Sequence, residues 1–264
     1  MNQTPYTPYT PRPPRRTGLR GWLQRLPPDT PWVSLAIGGF TVLVFLLQVL
    51  SQAWTGIDWL VQWGVKYTPF IVNYHEYWRL LTPVFLHAGI LHIGLNMWGL
   101  LVLGPSLERF LGPWRFALLY FISAYTGNAL STAFTPAASL GASTAIFGLL
   151  GAYLVIFYAN QHYLGNMASN VVKQALFWIV VNLLWSFQSS IDMWGHVGGL
   201  LGGMLFSIMA GPQWGDFGGK VYDYGAAYFS LRDHRPYRSV FIGALVTFLV
   251  FTAIIAVRFP QFLF

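Results

Sequence analysis

The chain has 264 residues, of which 55% are hydrophobic and only 9% are charged. A soluble domain carries roughly 25% charged residues, so this composition excludes an ordinary water-soluble protein and indicates a membrane protein with several spans. There is no cysteine, which excludes disulfides and a cysteine nucleophile. The net charge of +7 comes mainly from residues outside the apolar runs, a pattern typical of oriented membrane proteins rather than of nucleic-acid binding.

Residues 1–31 are predicted to form a flexible tail on the cytoplasmic side. The segment is rich in proline and threonine, a composition that cannot bury a hydrophobic core. It carries five arginines, namely Arg12, Arg15, Arg16, Arg20 and Arg25. It lacks the short apolar region of a signal peptide, so we expect it to be retained.

Seven apolar segments follow, each close to the roughly 20 residues that a helix needs to cross about 30 Å of hydrocarbon. None alternates apolar with polar residues, so the predicted fold class is all-α, a polytopic transmembrane helix bundle. The predicted spans are residues 32–51, 82–104, 114–131, 141–159, 171–188, 193–210 and 239–258. Six spans would form a core over residues 32–210, followed by a cytoplasmic loop over 211–238 and a last helix within 239–264.

The positions of lysine and arginine predict the orientation of the bundle. With a cytoplasmic amino terminus, 12 of the 15 basic residues lie inside, and Lys66, Arg79 and Arg258 lie outside. Cytoplasmic loops of membrane proteins carry such an excess of positive charge. After seven spans the carboxyl terminus is then outside, and the second, fourth and sixth spans all enter from the outer face.

A few polar residues interrupt these three spans: His92 and Asn96 in the second, Ser143 in the fourth and His196 in the sixth. Because the three spans run inward from one face, their polar groups should meet below the outer surface. A serine becomes nucleophilic when a neutral imidazole accepts its proton, so the set predicts acyl transfer with Ser143 as nucleophile and His196 as base. His92 and Asn96 are spaced to project the same way, and with the Ser143 backbone N–H they are candidate oxyanion donors.

Glycines predict close contact between the fourth and sixth spans. Gly199 and Gly203 form a small-xxx-small face that permits near approach of another helix, and Gly141 precedes the candidate nucleophile. This contact would hold the candidate nucleophile and base within hydrogen-bond reach. Phe147, one turn after the serine, is expected to pack its ring against the imidazole.

Together these motifs resemble the signature of the rhomboid family of intramembrane serine proteases. The likeness covers roughly residues 32–210 and rests on Gly141-Ala142-Ser143 with Ala145-Ile146-Phe147-Gly148, on His92-x-x-x-Asn96, on His196-x-x-Gly199-x-x-x-Gly203 and on Trp78-Arg79. The resemblance implies six core helices around a water-filled cavity, with a seventh helix after them. It also implies cleavage of transmembrane protein substrates in the lipid bilayer by a Ser143–His196 dyad, without metal or other cofactor.

Two residues depart from the family pattern. Thr144 stands where glycine usually follows the nucleophile, and Gly195 stands where alanine usually precedes the histidine. The branched Thr144 is expected to narrow the cavity, which leaves open a second hypothesis, a pseudoprotease that binds membrane clients without cutting them. A transporter is disfavoured, because no path of charged residues crosses the spans.

For several of these polar residues a structural role is an alternative to a catalytic one. His92 and Asn96 are alternatively bridges between helices. Asp192, four residues before His196, is either a third catalytic residue or, as we prefer, a helix cap, and His87 is expected at a helix start or in a loop. A metal site is not expected, because no cysteine or intramembrane carboxylate accompanies the histidines. The expected location is a bacterial plasma membrane.

Overall fold

The structure is a computed structural model, and it describes residues 30–188, 191–216 and 231–263. The predicted tail over residues 1–31 therefore lies almost entirely outside the described residues, as does the middle of the predicted loop over 211–238.

Ten α-helices account for most of the described residues. They are α1 (Trp32–Thr55), α2 (Trp59–Gly64), α3 (Thr68–Asn73), α4 (Ile90–Leu111), α5 (Pro113–Phe134), α6 (Ser143–Ala159), α7 (Gln161–Leu164), α8 (Asn166–Trp185), α9 (Met193–Ala210) and α10 (Tyr237–Arg258). Seven of them are long and overlap the seven predicted spans, so the prediction of an all-α membrane bundle is confirmed. Short 3₁₀ turns cover Tyr77–Leu80, Thr82–Phe85 and Pro260–Leu263, and β1 (Trp214–Asp216) pairs antiparallel with β2 (Leu231–Asp233).

Five of the long helices, α1, α4, α8, α9 and α10, are each long and apolar enough to cross a membrane. Large apolar side chains are exposed along α1, α8 and α10, including Phe40, Leu43, Leu47, Phe177, Val180, Leu184, Phe241, Leu245 and Leu249. An exposed apolar surface of this extent is unfavourable in water and suits contact with acyl chains.

The other two long helices, α5 and α6, lie in the centre of the bundle. The buried residues of α5 include Thr126, Asn128, Ser131 and Thr132, whose side chains all form hydrogen bonds. A helix enclosed by protein finds hydrogen-bond partners there, so it needs less apolar surface than a helix that faces lipid. α5 is therefore less apolar than a helix that faces lipid, although it lies inside the bundle. α6 is short, with only 17 residues.

The second span begins and ends later than predicted. Its helix runs from Ile90 to Leu111 rather than over 82–104, because Thr82–Phe85 forms a 3₁₀ turn that contains Pro83, and Gly89 precedes the helix. Hydropathy registers residues 82–89 as apolar but cannot distinguish a buried irregular segment from a helix. As a consequence His92 lies in the first turn of α4.

The extended end of α4 brings in a buried carboxylate that the predicted span omitted. Glu108 accepts hydrogen bonds from the Val33 backbone N–H at 2.8 Å, and from the Ser34 backbone N–H and hydroxyl at 2.7 Å each. The first amides of a helix have no partner within the helix, and a negative charge there is favourable. Glu108 thus anchors the beginning of α1 on α4.

The connection between α1 and α4 is organised by a buried arginine. Arg79 donates to the carbonyls of Val65 at 2.9 Å and Gln62 at 3.0 Å, and it pairs with Glu76. Its guanidinium also lies 4.9 Å from the centre of the Phe70 ring. The planar group can satisfy several acceptors at once, so Arg79 ties α2 to α3.

A second buried cation joins this connection to the segment before α6. Lys66 donates through Nζ to the carbonyls of Thr135 and Ala137, and its backbone exchanges two 3.0 Å hydrogen bonds with Ser139. Burial lowers the pKa of Lys66 from 10.5 to about 8, against the opposing attraction of the Asp192 carboxylate. The amine can donate to these carbonyls in either protonation state.

The stability of the protein is expected to rise as the pH increases from about 8 towards 10.5. Below this pH range Lys66 is protonated in both the folded and the unfolded state. Within the range only the unfolded state keeps the proton, so raising the pH favours the folded state. The free energy of unfolding should increase by up to about 3 kcal/mol. Unfolding of detergent-solubilised protein would be followed across this pH range for the parent and Lys66→Met. The rise should be absent in Lys66→Met, and equal slopes for both proteins would contradict the assignment.

Glycines set the closest contact between α6 and α9. A Cβ built on Gly199 would lie 2.0 Å from the Thr144 carbonyl oxygen, and one built on Gly203 would lie 2.2 Å from the Gly148 carbonyl oxygen. Atoms cannot approach so closely, so only glycine permits these two helices to touch at both points. The structure thus brings together the two helices that carry the candidate nucleophile and base.

Candidate active site

The amino-terminal ends of three helices meet at one place in the bundle. Ser143 is the first residue of α6, His196 the fourth residue of α9 and His92 the third residue of α4. A Cβ built on Gly141 would lie 2.7 Å from His92 Nε2 and 3.8 Å from Ser143 Oγ. The three helices therefore begin in the same part of the bundle.

The serine and the imidazole form a direct hydrogen bond. Ser143 Oγ lies 2.8 Å from His196 Nε2, which is within the reach that a general base needs. The Phe147 ring stacks on the imidazole, with ring centres 4.2 Å apart and an angle of 16° between the planes. His196 is buried and Ser143 is half-buried.

The other ring nitrogen of His196 also has a partner, which the sequence did not reveal. The Ser186 hydroxyl lies 2.6 Å from His196 Nδ1 and 2.6 Å from the Asn182 carbonyl oxygen. Ser186 directly follows α8 and is buried. No pattern in the sequence distinguishes this serine from others near helix ends, so only the packing of α8 beside α9 identifies it.

Asp192 is a helix cap, as preferred over the catalytic alternative. Its carboxylate accepts a 3.0 Å hydrogen bond from the Gly195 backbone N–H and therefore begins α9. The hydroxyls of Ser131 and Thr135, at the end of α5, also donate to it. The Asp192 carboxylate thus bonds to these three groups, and the Ser186 hydroxyl contacts the His196 ring.

Gly141 provides a close approach beside the serine. Its φ is +127°, a backbone conformation that residues other than glycine rarely adopt, and a Cβ there would collide with the His92 ring. The Gly141 backbone N–H donates to the Pro83 carbonyl at 2.9 Å. The turn before α6 is therefore anchored on the connection before α4, with His92 against it.

The two candidate oxyanion donors differ in their present contacts. His92 Nδ1 lies 3.4 Å from the Ala88 backbone N–H, and Nε2 lies next to Gly141. Asn96 is buried one turn further along α4, and its amide donates to the His92 carbonyl at 2.9 Å. The structure brings His92 to the serine turn, and it bonds Asn96 to the backbone of its own helix.

His87 lies in the connection before α4, as expected of a loop residue, and is buried there. Its Nε2 accepts a 3.4 Å hydrogen bond from the Ala142 backbone N–H. Gln48 of α1 holds its backbone through bonds of 3.0 Å and 3.2 Å. His87 thus supports the residue that immediately precedes Ser143.

The two departures from the family pattern touch each other. The Thr144 side chain is buried. A Cβ built on Gly127 would lie 2.6 Å from Thr144 Cβ, and one built on Gly195 would lie 3.3 Å from Thr144 Cγ2. The space left by these two glycines accommodates the branched side chain. Thr144 therefore packs against α5 and α9, and a Cβ at position 195 would also lie 3.0 Å from a carboxylate oxygen of Asp192.

Within the described ranges, no group of three or more His, Cys, Asp or Glu side chains is arranged to hold a metal ion. The two ring nitrogens of His196 are engaged by hydroxyl groups.

Comparison with known proteins identifies the family. A rhomboid domain model matches residues 74–213, more than half of the chain. The chain is 38% identical to Rhomboid protease GluP of Bacillus subtilis over 183 residues, which are 68% of this chain and 35% of that protein. It is 37% identical to RHOMBOID-like protein 1 of Arabidopsis thaliana over 185 residues, 69% of this chain and 47% of that protein.

A third relative is matched over most of its length. The chain is 33% identical to Rhomboid-like protease 3 of Toxoplasma gondii over 193 residues, which are 70% of this chain and 73% of that protein. The chain spans less than half the length of the first two relatives and nearly three quarters of the third. Because the family model matches more than half of the chain and the third relative is covered over 73% of its length, the chain belongs to the rhomboid family.

Proposed function

We propose that this protein is a serine endopeptidase that cleaves transmembrane protein substrates within the membrane. The observation that carries the proposal is the 2.8 Å hydrogen bond between Ser143 Oγ and His196 Nε2. Two of the relatives are named as proteases, which supports the same activity. In this proposal Ser143 is the nucleophile and His196 is the general base.

The reaction follows from the two hydrogen-bonded groups. Ser143 Oγ attacks the carbonyl carbon of the scissile peptide while its proton passes to His196 Nε2. The tetrahedral intermediate collapses to an ester on Ser143, and the proton on Nε2 passes to the departing amine. Water then attacks the ester with His196 again as base, which releases the new carboxyl end and restores the hydroxyl.

The tetrahedral oxygen needs donors, and we assign this role to His92, Asn96 and the Ser143 backbone N–H. The contact of His92 Nδ1 with the Ala88 N–H uses Nδ1 as an acceptor, which leaves the proton of the neutral ring on Nε2, next to Gly141. Asn96 has a second amide N–H besides the one bonded to the His92 carbonyl. The first amides of α6 have no partner within the helix.

Replacing His92 or Asn96 with alanine is expected to slow the chemical step. Loss of one oxyanion donor costs about 10²–10³-fold in kcat, and the effect on KM should be small because the donor acts on the transition state. Steady-state cleavage in liposomes measures both constants, and thermal unfolding monitors the fold. Parental kcat in both variants would remove the two side chains from the oxyanion site and favour a purely structural role for them.

We further propose that the site opens towards the outer side of the membrane and that the carboxyl terminus lies outside. The excess of lysine and arginine on the opposite side supports this orientation. The substrates would then be membrane proteins whose cleaved bond lies near that surface. The bacterial plasma membrane stays a prediction, since the relatives come from a bacterium, a plant and Toxoplasma.

A fluorophosphonate probe separates the protease from a pseudoprotease. The probe reacts with a serine hydroxyl that a base activates, so we expect it to label the parent at Ser143 and to label His196→Ala far more slowly. The label would be located by peptide mass spectrometry. Failure to label the folded parent, together with retained binding of a transmembrane client, would support the pseudoprotease.

A further inference from the structure

The Ser186 hydroxyl contacts Nδ1 of the His196 ring, whereas Ser143 contacts Nε2. Ser186 is 2% exposed and follows the last residue of α8, so its hydroxyl is enclosed between α8 and α9. That hydroxyl lies 2.6 Å from His196 Nδ1 and 2.6 Å from the Asn182 carbonyl oxygen. Both distances are typical of good hydrogen bonds with a hydroxyl group.

The chemistry of these partners determines which atom carries each proton. A backbone carbonyl only accepts, so the single hydroxyl proton of Ser186 is donated to Asn182, and towards His196 the serine oxygen accepts. His196 Nδ1 therefore carries a proton, and Nε2 of the neutral ring has a free lone pair. That lone pair faces Ser143 Oγ, as a base for this hydroxyl requires.

We propose that Ser186 is a positioning residue that selects the Nδ1-protonated tautomer of His196 and holds the ring towards Ser143. In catalytic triads a carboxylate has this role. Here the nearby carboxylate, Asp192, caps α9 and accepts from Ser131. A neutral hydroxyl stabilises the ring less than a charged acceptor does, so the expected contribution is moderate.

The catalytic part of this inference rests on the proposed function, whereas the tautomer is a property of the folded protein. The first test is therefore spectroscopic. Histidine labelled with ¹⁵N gives separate resonances for protonated and unprotonated ring nitrogens, and the His196 signals are identified by their loss in His196→Gln. At about pH 8, where a free imidazole is neutral, we expect the parent to carry its proton on Nδ1 and Ser186→Ala to show a mixture of tautomers.

The second test is kinetic and uses matched variants. Cleavage by Ser186→Ala should show kcat lowered about 10-fold with KM nearly unchanged, since one neutral hydrogen bond that orients the base is lost. Ser186→Thr retains the hydroxyl and should recover most of the rate. Ser207→Ala is the control, because Ser207 is a buried serine of α9 whose hydroxyl has no hydrogen-bond partner within the described residues.

The outcomes separate the two proposals. A parent with its proton on Nε2, or an unchanged tautomer in folded Ser186→Ala, would overturn the role of Ser186 even if cleavage is normal. A parent with the expected tautomer but no cleavage would support the positioning by Ser186 and count against the protease. If Ser186→Ala does not fold, the parent and Ser186→Thr spectra decide, because both must show the proton on Nδ1.

Discussion

Alanine at position 143 or 196 is expected to abolish cleavage of a transmembrane substrate, lowering kcat by roughly 10⁴–10⁶-fold. Without the Ser143 hydroxyl no ester can form, and without the His196 imidazole no group accepts the proton at 2.8 Å. Because the two side chains act as one unit, the double variant should be no slower than either single variant. The assay is single-turnover cleavage in liposomes, with product quantified by mass.

The controls replace the same residue types away from the site. Ser207→Ala and His162→Ala should cleave at the parental rate, since Ser207 lies further along α9 and His162 is exposed on α7. Equal product from the parent and both active-site variants would end the protease proposal. No product from any protein, with client binding retained, would instead favour the pseudoprotease.

Gly199→Ala is expected to separate the serine from its base without altering either residue. The added Cβ would stand 2.0 Å from the Thr144 carbonyl oxygen, which belongs to the first turn of α6, so α6 and α9 must move apart. A displacement of about 1 Å at a reacting pair can cost 10²-fold in rate. We expect kcat to fall by at least about 10²-fold and the thermal midpoint to fall as well.

The control for this change is Gly39→Ala in α1, where a Cβ meets no atom within 4 Å and alanine favours the helix. It should leave activity and stability essentially unchanged. Gly203→Ala, one turn after Gly199, should lower stability in the same manner, since its Cβ would stand 2.2 Å from the Gly148 carbonyl oxygen. Parental activity and melting behaviour in Gly199→Ala would show that the close contact of the two helices is not required.

Much of the bundle and of the candidate site was predictable from the sequence. Long apolar runs must form helices in a bilayer, because no water there satisfies the backbone. The few polar residues inside those runs are conspicuous for the same reason, and they include Ser143 and His196. The glycine spacing after His196 indicated a helix contact, and the structure has that contact with α6.

Helix boundaries were less predictable where apolar sequence is not helical. Residues 82–89 are apolar and buried in part, but Pro83 and Gly89 belong to an irregular connection that hydropathy assigns to a span. The predicted second span also ended too early, at residue 104, and so left out Glu108, which belongs to α4 and whose carboxylate caps α1. A partner 74 residues away in the chain leaves no local pattern.

What the sequence determined by itself is the class of the molecule, the order of its long helices and the residue types able to perform acyl transfer, because apolar length and isolated polar groups are local properties. Only the tertiary structure decided which side chains meet. It gave His196 a second partner in Ser186, bonded Asn96 to its own helix and placed Thr144 against Gly195. These pairings depend on how closely helices distant in the chain approach each other, and that distance is set by packing across the whole bundle.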